Sequence, residues 1–211
     1  MTTATLTTAP HQTTATPLTP LSIKTATASD VERVIAVVTL AFSADPAARW
    51  AYREPQHYWR YWPEFVKAFG GRAFEHGTAH YADGYAGAAL WLPPGVKPDD
   101  DALASLLERS LAERDQEEVY AVLEQMGAYH PNEPHWYLPL IGVDPPRQGR
   151  GYGTALLRHA LALCDRDGKL AYLESTNPAN NPLYERHGFE VVGRIQVGAS
   201  PPIWPMVRKP R

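Results

Sequence analysis

From Leu138 to Leu157 the chain reads LPLIGVDPPRQGRGYGTALL, and this stretch narrows the choice of fold more than any other. Leu138–Val143 is a short apolar run, and Asp144-Pro145-Pro146 stops it. A helix-period pattern begins near Gly151, with glycines at 149, 151 and 153 where the helix opens. The segment therefore predicts a strand, a tight turn and a helix start. A helix N-terminus leaves about four backbone N–H groups without intrahelical partners, carrying roughly half a positive charge. Glycines let an anion approach that backbone closely. The expectation is a cradle for phosphate or pyrophosphate.

Three glycine-rich cradles have to be separated. A P-loop requires Lys-Ser or Lys-Thr after its last glycine, whereas Gly153 is followed by Thr154-Ala155. A dinucleotide fingerprint requires G-x-G-x-x-G, and in Gly149-Arg150-Gly151-Tyr152-Gly153 the third glycine comes one position early. Glu174 does stand about 20 residues on, where that fingerprint wants an acid, but too little chain follows for its remaining strands. The third pattern is Gln148-Gly-Arg-Gly151-Tyr-Gly153, a Q-x-x-G-x-G spacing.

That spacing resembles the acyl-CoA-binding motif of the GCN5-related N-acetyltransferase (GNAT) superfamily. Asn177-Pro-Ala-Asn180-Asn-Pro-Leu-Tyr184-Glu-Arg-His-Gly188-Phe189 resembles the second signature of that superfamily. Glu133-Pro-His-Trp-Tyr137, Leu173-Glu174-Ser175 and the closing Trp204–Lys209 are similar to puromycin N-acetyltransferase and its relatives within it. The likeness is strong from His130 to Arg211, weaker at Ala41–Pro46 and faint between.

The resemblance implies an α/β fold with a mixed, mostly antiparallel central sheet of about six to seven strands, one splayed pair, and flanking helices. It implies an N-acetyltransferase (an acyltransferase of EC class 2.3.1) that moves an acetyl group from acetyl-CoA to the amine of a small molecule by direct attack in a ternary complex. The backbone of Gln148, Gly149, Arg150, Gly151, Tyr152, Gly153 and Thr154 would hold the pyrophosphate, with Arg150 and Arg147 adding charge. Ile141, Gly142 and Val143 would present backbone groups to the pantetheine and acyl carbonyl, and a backbone N–H there is the natural oxyanion donor. Tyr184 is the candidate general acid, since a phenol of pKa near 10 stays protonated at neutral pH. Glu174 is the candidate base, with Glu133 and His135 in reserve. Asn177 and Asn180 either order their loop or bind the cosubstrate. The resemblance leans towards a homodimer. Two other readings are an acyl-CoA sensor without turnover and a nucleotide oxidoreductase.

Composition agrees with a soluble globular protein: 211 residues, 44% hydrophobic and 20% charged, with a formal net charge of −3. A chain of this size buries roughly 70% of its unfolded surface, which suits one domain over 21–211. No basic cluster suggests nucleic acid, and no apolar run approaches the ~20 residues that span a bilayer. Residues 1–20 are rich in Thr, Ala and Pro without Lys or Arg, which predicts a disordered tail rather than a signal peptide. Cys164 is the only cysteine, so the chain has no internal disulfide, and a reducing, cytoplasmic setting is expected with Cys164 a buried small hydrophobe. Scattered histidines give no metal-ligand spacing. Residues 47–74 hold a run of aromatics, read mainly as core with a few lining an apolar acceptor pocket. Asp99–Met126 reads as one long helical region that changes face after Asp115-Gln116. Phe189–Val197 and Ile203–Arg208 read as a closing antiparallel pair.

Overall fold

A computed structural model describes residues 21–211; the expected tail at 1–20 lies outside them. The strands are β1 (Ile23–Thr25), β2 (Ala79–Ala82), β3 (Gly87–Leu92), β4 (His135–Val143), β5 (Leu170–Ser175), β6 (Glu190–Val191) and β7 (Trp204–Arg208). They form one seven-stranded sheet in the order β1-β2-β3-β4-β5-β7-β6. Only β4 and β5 run parallel; the other neighbours are antiparallel. The helices are α1 (Val31–Ala41), α2 (Pro46–Ala51), α3 (Pro55–Gly70), α4 (Arg72–Glu75), α5 (Asp100–Ser110), α6 (Glu113–Tyr129), α7 (Tyr152–Arg166) and α8 (Asn181–Arg186).

Alternation along the central strands sends side chains to two cores. Tyr137, Leu140 and Tyr172 join Val34, Val38, Tyr58 and Trp62 on the face covered by α1 and α3. Leu138, Ala171 and Leu173 join Leu156, Leu157, Leu161 and Cys164 on the α7 face. The α3 aromatics are mostly structural. Trp62 stacks on Phe65 at 4.6 Å, Phe65 on Phe69 at 5.1 Å, and the buried Tyr58 hydroxyl donates to the Thr39 carbonyl at 2.5 Å. Burial pushes the Cys164 thiol up to about 12, in line with a packing role.

Two stretches depart from the sequence reading. The helical region from Asp99 breaks at Leu111, which is extended (φ −108°, ψ 146°), earlier than the change of face suggests. Ser110 is held by the Tyr52 hydroxyl at 2.8 Å. The Gln116 side chain reaches back to the Glu108 and Leu111 carbonyls at 3.2 and 3.1 Å, serving acceptors that a broken helix leaves open. The expected strand from Phe189 to Val197 shrinks to Glu190–Val191, with a lone bridge between Ile195 and Ile203. Gly193 lies so close against the Tyr129 ring that a Cβ would collide. The segment beyond it leaves the sheet to pack Ile195 and Ile203 on Val122 of α6.

A buried Arg208 ties β7 to α7 through two bonds to the Asp165 carboxylate, at 2.7 and 2.9 Å. Among the described residues no helix is long and apolar enough to cross a membrane.

Candidate active site

The site begins with one extra residue. On β3, Leu90 and Leu92 pair with Leu140 and Tyr137 of β4, so three steps on β4 oppose two on β3. Pro139 falls in that step, and a proline cannot donate to a ladder. A bulge bends its strand, and past it β4 leaves β5. The two pair only at His135–Tyr137 with Leu170–Tyr172. Leu138–Val143 and Leu173–Ser175 therefore border a split in the sheet.

Backbone alternation decides which groups face that split. The Asp144 N–H donates to the Ala86 carbonyl at 2.9 Å, and the Gly142 carbonyl lies against Gly87, so residues 142 and 144 are turned to β3. Antiparallel ladders alternate, which turns Ile141 and Val143 towards the split. The Val143 carbonyl accepts from the Gln148 side chain at 3.2 Å. The Ile141 N–H and carbonyl and the Val143 N–H then point where a β5 partner would have been. Gly142 offers space instead: a Cβ there would strike the Cβ of Ala41 on α1. Gly142→Ala is expected to cost about 1–3 kcal/mol through overpacking, checked by denaturant unfolding.

Across the turn, Gly149 (φ 73°) and Gly151 (φ 87°) occupy left-handed conformations that admit glycine at no steric cost. No side chain among the described residues caps α7. Its first intrahelical bond runs from the Ala155 N–H to the Gly151 carbonyl at 3.0 Å, which leaves the N–H groups of Tyr152, Gly153 and Thr154 without helical partners. Arg150 is exposed, and the Arg147 guanidinium lies 3.7 Å from the Asp144 carboxylate. Beside the turn, Gly151, Thr154, Arg158 and His159 line an open groove of about 590 Å³. Uncapped N–H groups at a glycine turn, beside backbone aimed into a split, fit the phosphates and arm of an acyl-CoA.

There are two chemical candidates: Tyr184 packs in the core that holds Leu138 of β4 and Leu173 of β5, and Glu174 lies on β5. Tyr184 of α8 is 7% exposed and packs edge-on against Phe189. Burial raises its phenol pKa, and the charge of Asp45 adds to that. Asp45 was not singled out as a site residue. Its Oδ1 accepts from the Ala47 and Ala48 N–H groups at 3.0 and 3.1 Å, and its Oδ2 accepts from the Thr176 hydroxyl at 2.6 Å. Burial raises the pKa of Asp45, against the pull of those bonds. It thus caps α2 and straps α2 to the loop after β5; a Ser-Ala-Asp-Pro run before a helix is the signal that finds it. Asp45→Ala is expected to destabilise by about 1 kcal/mol from the lost cap alone, read as a lower Tm.

Asn177 spends its Oδ1 on the Ala179 N–H at 3.0 Å, which is the loop-ordering alternative. Asn180 precedes α8 and is exposed, with its N–H bonded to the Asn177 carbonyl at 2.9 Å. Glu174 lies two residues beyond the last β4–β5 pair, with its side chain 2% exposed and Oε1 3.4 Å from His130 Nε2. Among the described residues no hydrogen bond of good geometry reaches that buried Oε1. Burial, and then the charge of Glu174, raise the pKa of both Tyr137 and Tyr172 beside it. Of the reserve bases, His135 enters this cluster through His130, at 3.0 Å, whereas the Glu133 backbone carbonyl, not its carboxylate, contacts His135.

The sequence profile of the acetyltransferase (GNAT) family matches residues 54–189. The chain belongs to the GNAT family. An N-acetyltransferase of Schizosaccharomyces pombe is 28% identical over 183 residues, covering 80% of this chain and 74% of that one. A crystal structure from Corynebacterium glutamicum, described as histone acetyltransferase HPA2 and related acetyltransferase, superposes with a TM-score of 0.65 at 26% identity, over 90% of this chain and 97% of that one. Arylalkylamine N-acetyltransferase 2 of Aedes aegypti shares the fold, with a TM-score of 0.66 at 14% identity over 92% and 100% of the two chains. As a GNAT enzyme the protein is an N-acetyltransferase that draws on acetyl-CoA.

Proposed function

We propose that this GNAT protein acetylates the amine of a small molecule by direct attack on acetyl-CoA bound in the β4–β5 split. What supports the reading is the unpaired Ile141 and Val143 backbone on one border of the split, with Glu174 just past the last β4–β5 pair on the other and Tyr184 packed in the core that holds Leu138 and Leu173 of the two bordering strands. Acetyl-CoA supplies an activated acetyl thioester. The turn from Gln148 to Thr154 would bind its phosphates and the Val143 side of β4 its arm. The Ile141 N–H is the donor aimed at charge growing on the acyl oxygen, a contribution typically worth about 3 kcal/mol per donor. Glu174 receives the first proton of the ammonium, and the Tyr184 hydroxyl gives one to the departing sulfur and regains one from the second N–H as the amide forms.

A small acceptor is supported by the wall next to Asp45. Trp50 of α2, Val122 and Met126 of α6, and Ile195, Val197 and Ile203 form one apolar cluster. Most aromatics of 47–74 are spent in the core; Trp50 is the one that joins this wall. Among the described residues its buried Nε1–H finds no hydrogen-bond partner, as is true of Trp62 and Trp91. The finer likeness to puromycin N-acetyltransferase rests on sequence motifs alone.

The test is a panel of aliphatic and aromatic amines with acetyl-CoA, followed by free-thiol release. Turnover on apolar-bodied amines supports the reading. Tight acetyl-CoA binding with no turnover on any amine would instead make the protein a sensor.

A further inference from the structure

His130 leaves the end of α6 and folds over the start of β4. Its Nδ1 lies 3.0 Å from His135 Nε2, and His135 Nδ1 lies 2.8 Å from the Glu133 carbonyl oxygen. Its Nε2 lies 3.4 Å from Glu174 Oε1. Three contacts in a row therefore link a carboxylate with a 2% exposed side chain to a backbone carbonyl in an exposed turn.

Both ends of this row are acceptors when Glu174 is ionised. Each contact needs one proton, and two neutral imidazoles bring two. The count does not depend on tautomer: the row is complete only with a third proton, on a ring or on Glu174. Burial lowers the His135 pKa. A neutral His135 donates from Nδ1 to Glu133 and accepts at Nε2 from His130, so two neutral imidazoles leave the His130 Nε2–Glu174 contact, 3.4 Å long and without a hydrogen bond of good geometry among the described residues, one proton short. The other titratable groups facing the row are Tyr137 from β4 and Tyr172 from β5, with ring centroids 4.5 and 4.4 Å from His130, and Tyr129 from α6, whose charge bears on Tyr172. The pKa of each of Tyr137 and Tyr172 is raised, chiefly by burial, so they stay neutral and wall the row off from other proton sources.

We propose that Glu174, His130 and His135 form a proton exit, carrying the amine's proton from the split to solvent. The proposal rests on reading Glu174 as the base. An N–H bond of the substrate ammonium breaks and an O–H bond forms at Glu174. That proton completes the row as its third, and the row then loses one N–H proton from the His135 ring to water or buffer. The remaining two return to the starting arrangement. One proton per turnover moves from amine to solvent, which is the one that acetylation of an ammonium must release. His130, 28% exposed, and His135 act through Glu174 and need not touch the substrate.

The test compares wild type with His130→Gln on two accepted amines, a strongly basic alkylamine and an arylamine already neutral at the assay pH. On the alkylamine, kcat/KM is expected to fall on the order of tenfold or more, with the loss shrinking as pH rises towards the amine's own pKa. The arylamine rate is expected to hold, and added imidazole to restore part of the alkylamine rate. His135→Gln, which keeps the His130–Glu174 contact, is expected to show a smaller loss of the same pH shape, and it serves if His130→Gln does not fold. Equal losses on both amines at every pH, or no loss on either, overturn the exit. If Glu174→Gln loses the alkylamine rate while both histidine variants keep it, the exit alone fails. If Glu174→Gln keeps that rate, the assignment of the base fails with it.

Discussion

Replacing Tyr184 with phenylalanine is expected to lower kcat about a hundredfold at neutral pH while leaving the KM for acetyl-CoA nearly unchanged. The ring that packs edge-on against Phe189 stays, so the fold loses one hydroxyl and little packing. Burial and the neighbouring Asp45 charge hold the phenol protonated well above neutrality. The acid is therefore present throughout the assay range, and its removal lowers the rate without moving the pH profile. A fall confined to kcat is the mark of an interaction made in the transition state. A Tyr184→Phe enzyme that releases thiol at the wild-type rate would end the assignment, and an unchanged kcat with a raised KM would make Tyr184 a binding residue.

Glu174→Gln is expected to move activity and stability in opposite directions. On a strongly basic alkylamine, kcat/KM falls on the order of a hundredfold or more, because the exchanged group can no longer take a proton. An arylamine that is neutral at the assay pH is spared most of that loss. The fold gains, because a buried carboxylate oxygen without a good hydrogen bond is costly unless paired. Its one near cation-forming partner, His130, stands at 3.4 Å. The expected pair of readings is a lower rate and an equal or higher Tm. A Tm that drops along with the rate, equally on both amines, would mark Glu174 as structural.

What could be read from the chain follows from distance along it. The strand, turn and helix from Leu138 onward are local, and the glycines at 149 and 151 announce their left-handed backbone by being glycines. Pro139 marks the bulge for the same reason. Tyr184 and Glu174 stand out as candidates because their neighbours within a few residues form motifs. The Asp45–Thr176 strap was not legible, since its partners are 131 positions apart: the Ser-Ala-Asp-Pro run marks Asp45 as a helix cap, but nothing near it points to Thr176. His130 looked like one of several scattered histidines until β4 and β5 brought it over Glu174. The break at Leu111 was hidden for a related reason: helical periodicity continues on both sides, and the tie of Ser110 to Tyr52 at the helix end is a contact between distant segments.

The split has a further consequence for the life of the protein. Across the middle of the sheet the two halves are stitched by three residue pairs, and the seam beyond them is open. On the reading proposed above, acetyl-CoA lies in that seam as a stand-in strand, so each molecule bound is also a brace. Anything that binds only the folded form shifts unfolding by mass action. The same metabolite pool that sets the turnover of this enzyme therefore sets how long it survives, and starvation for acetyl groups would thin the enzyme as well as idle it.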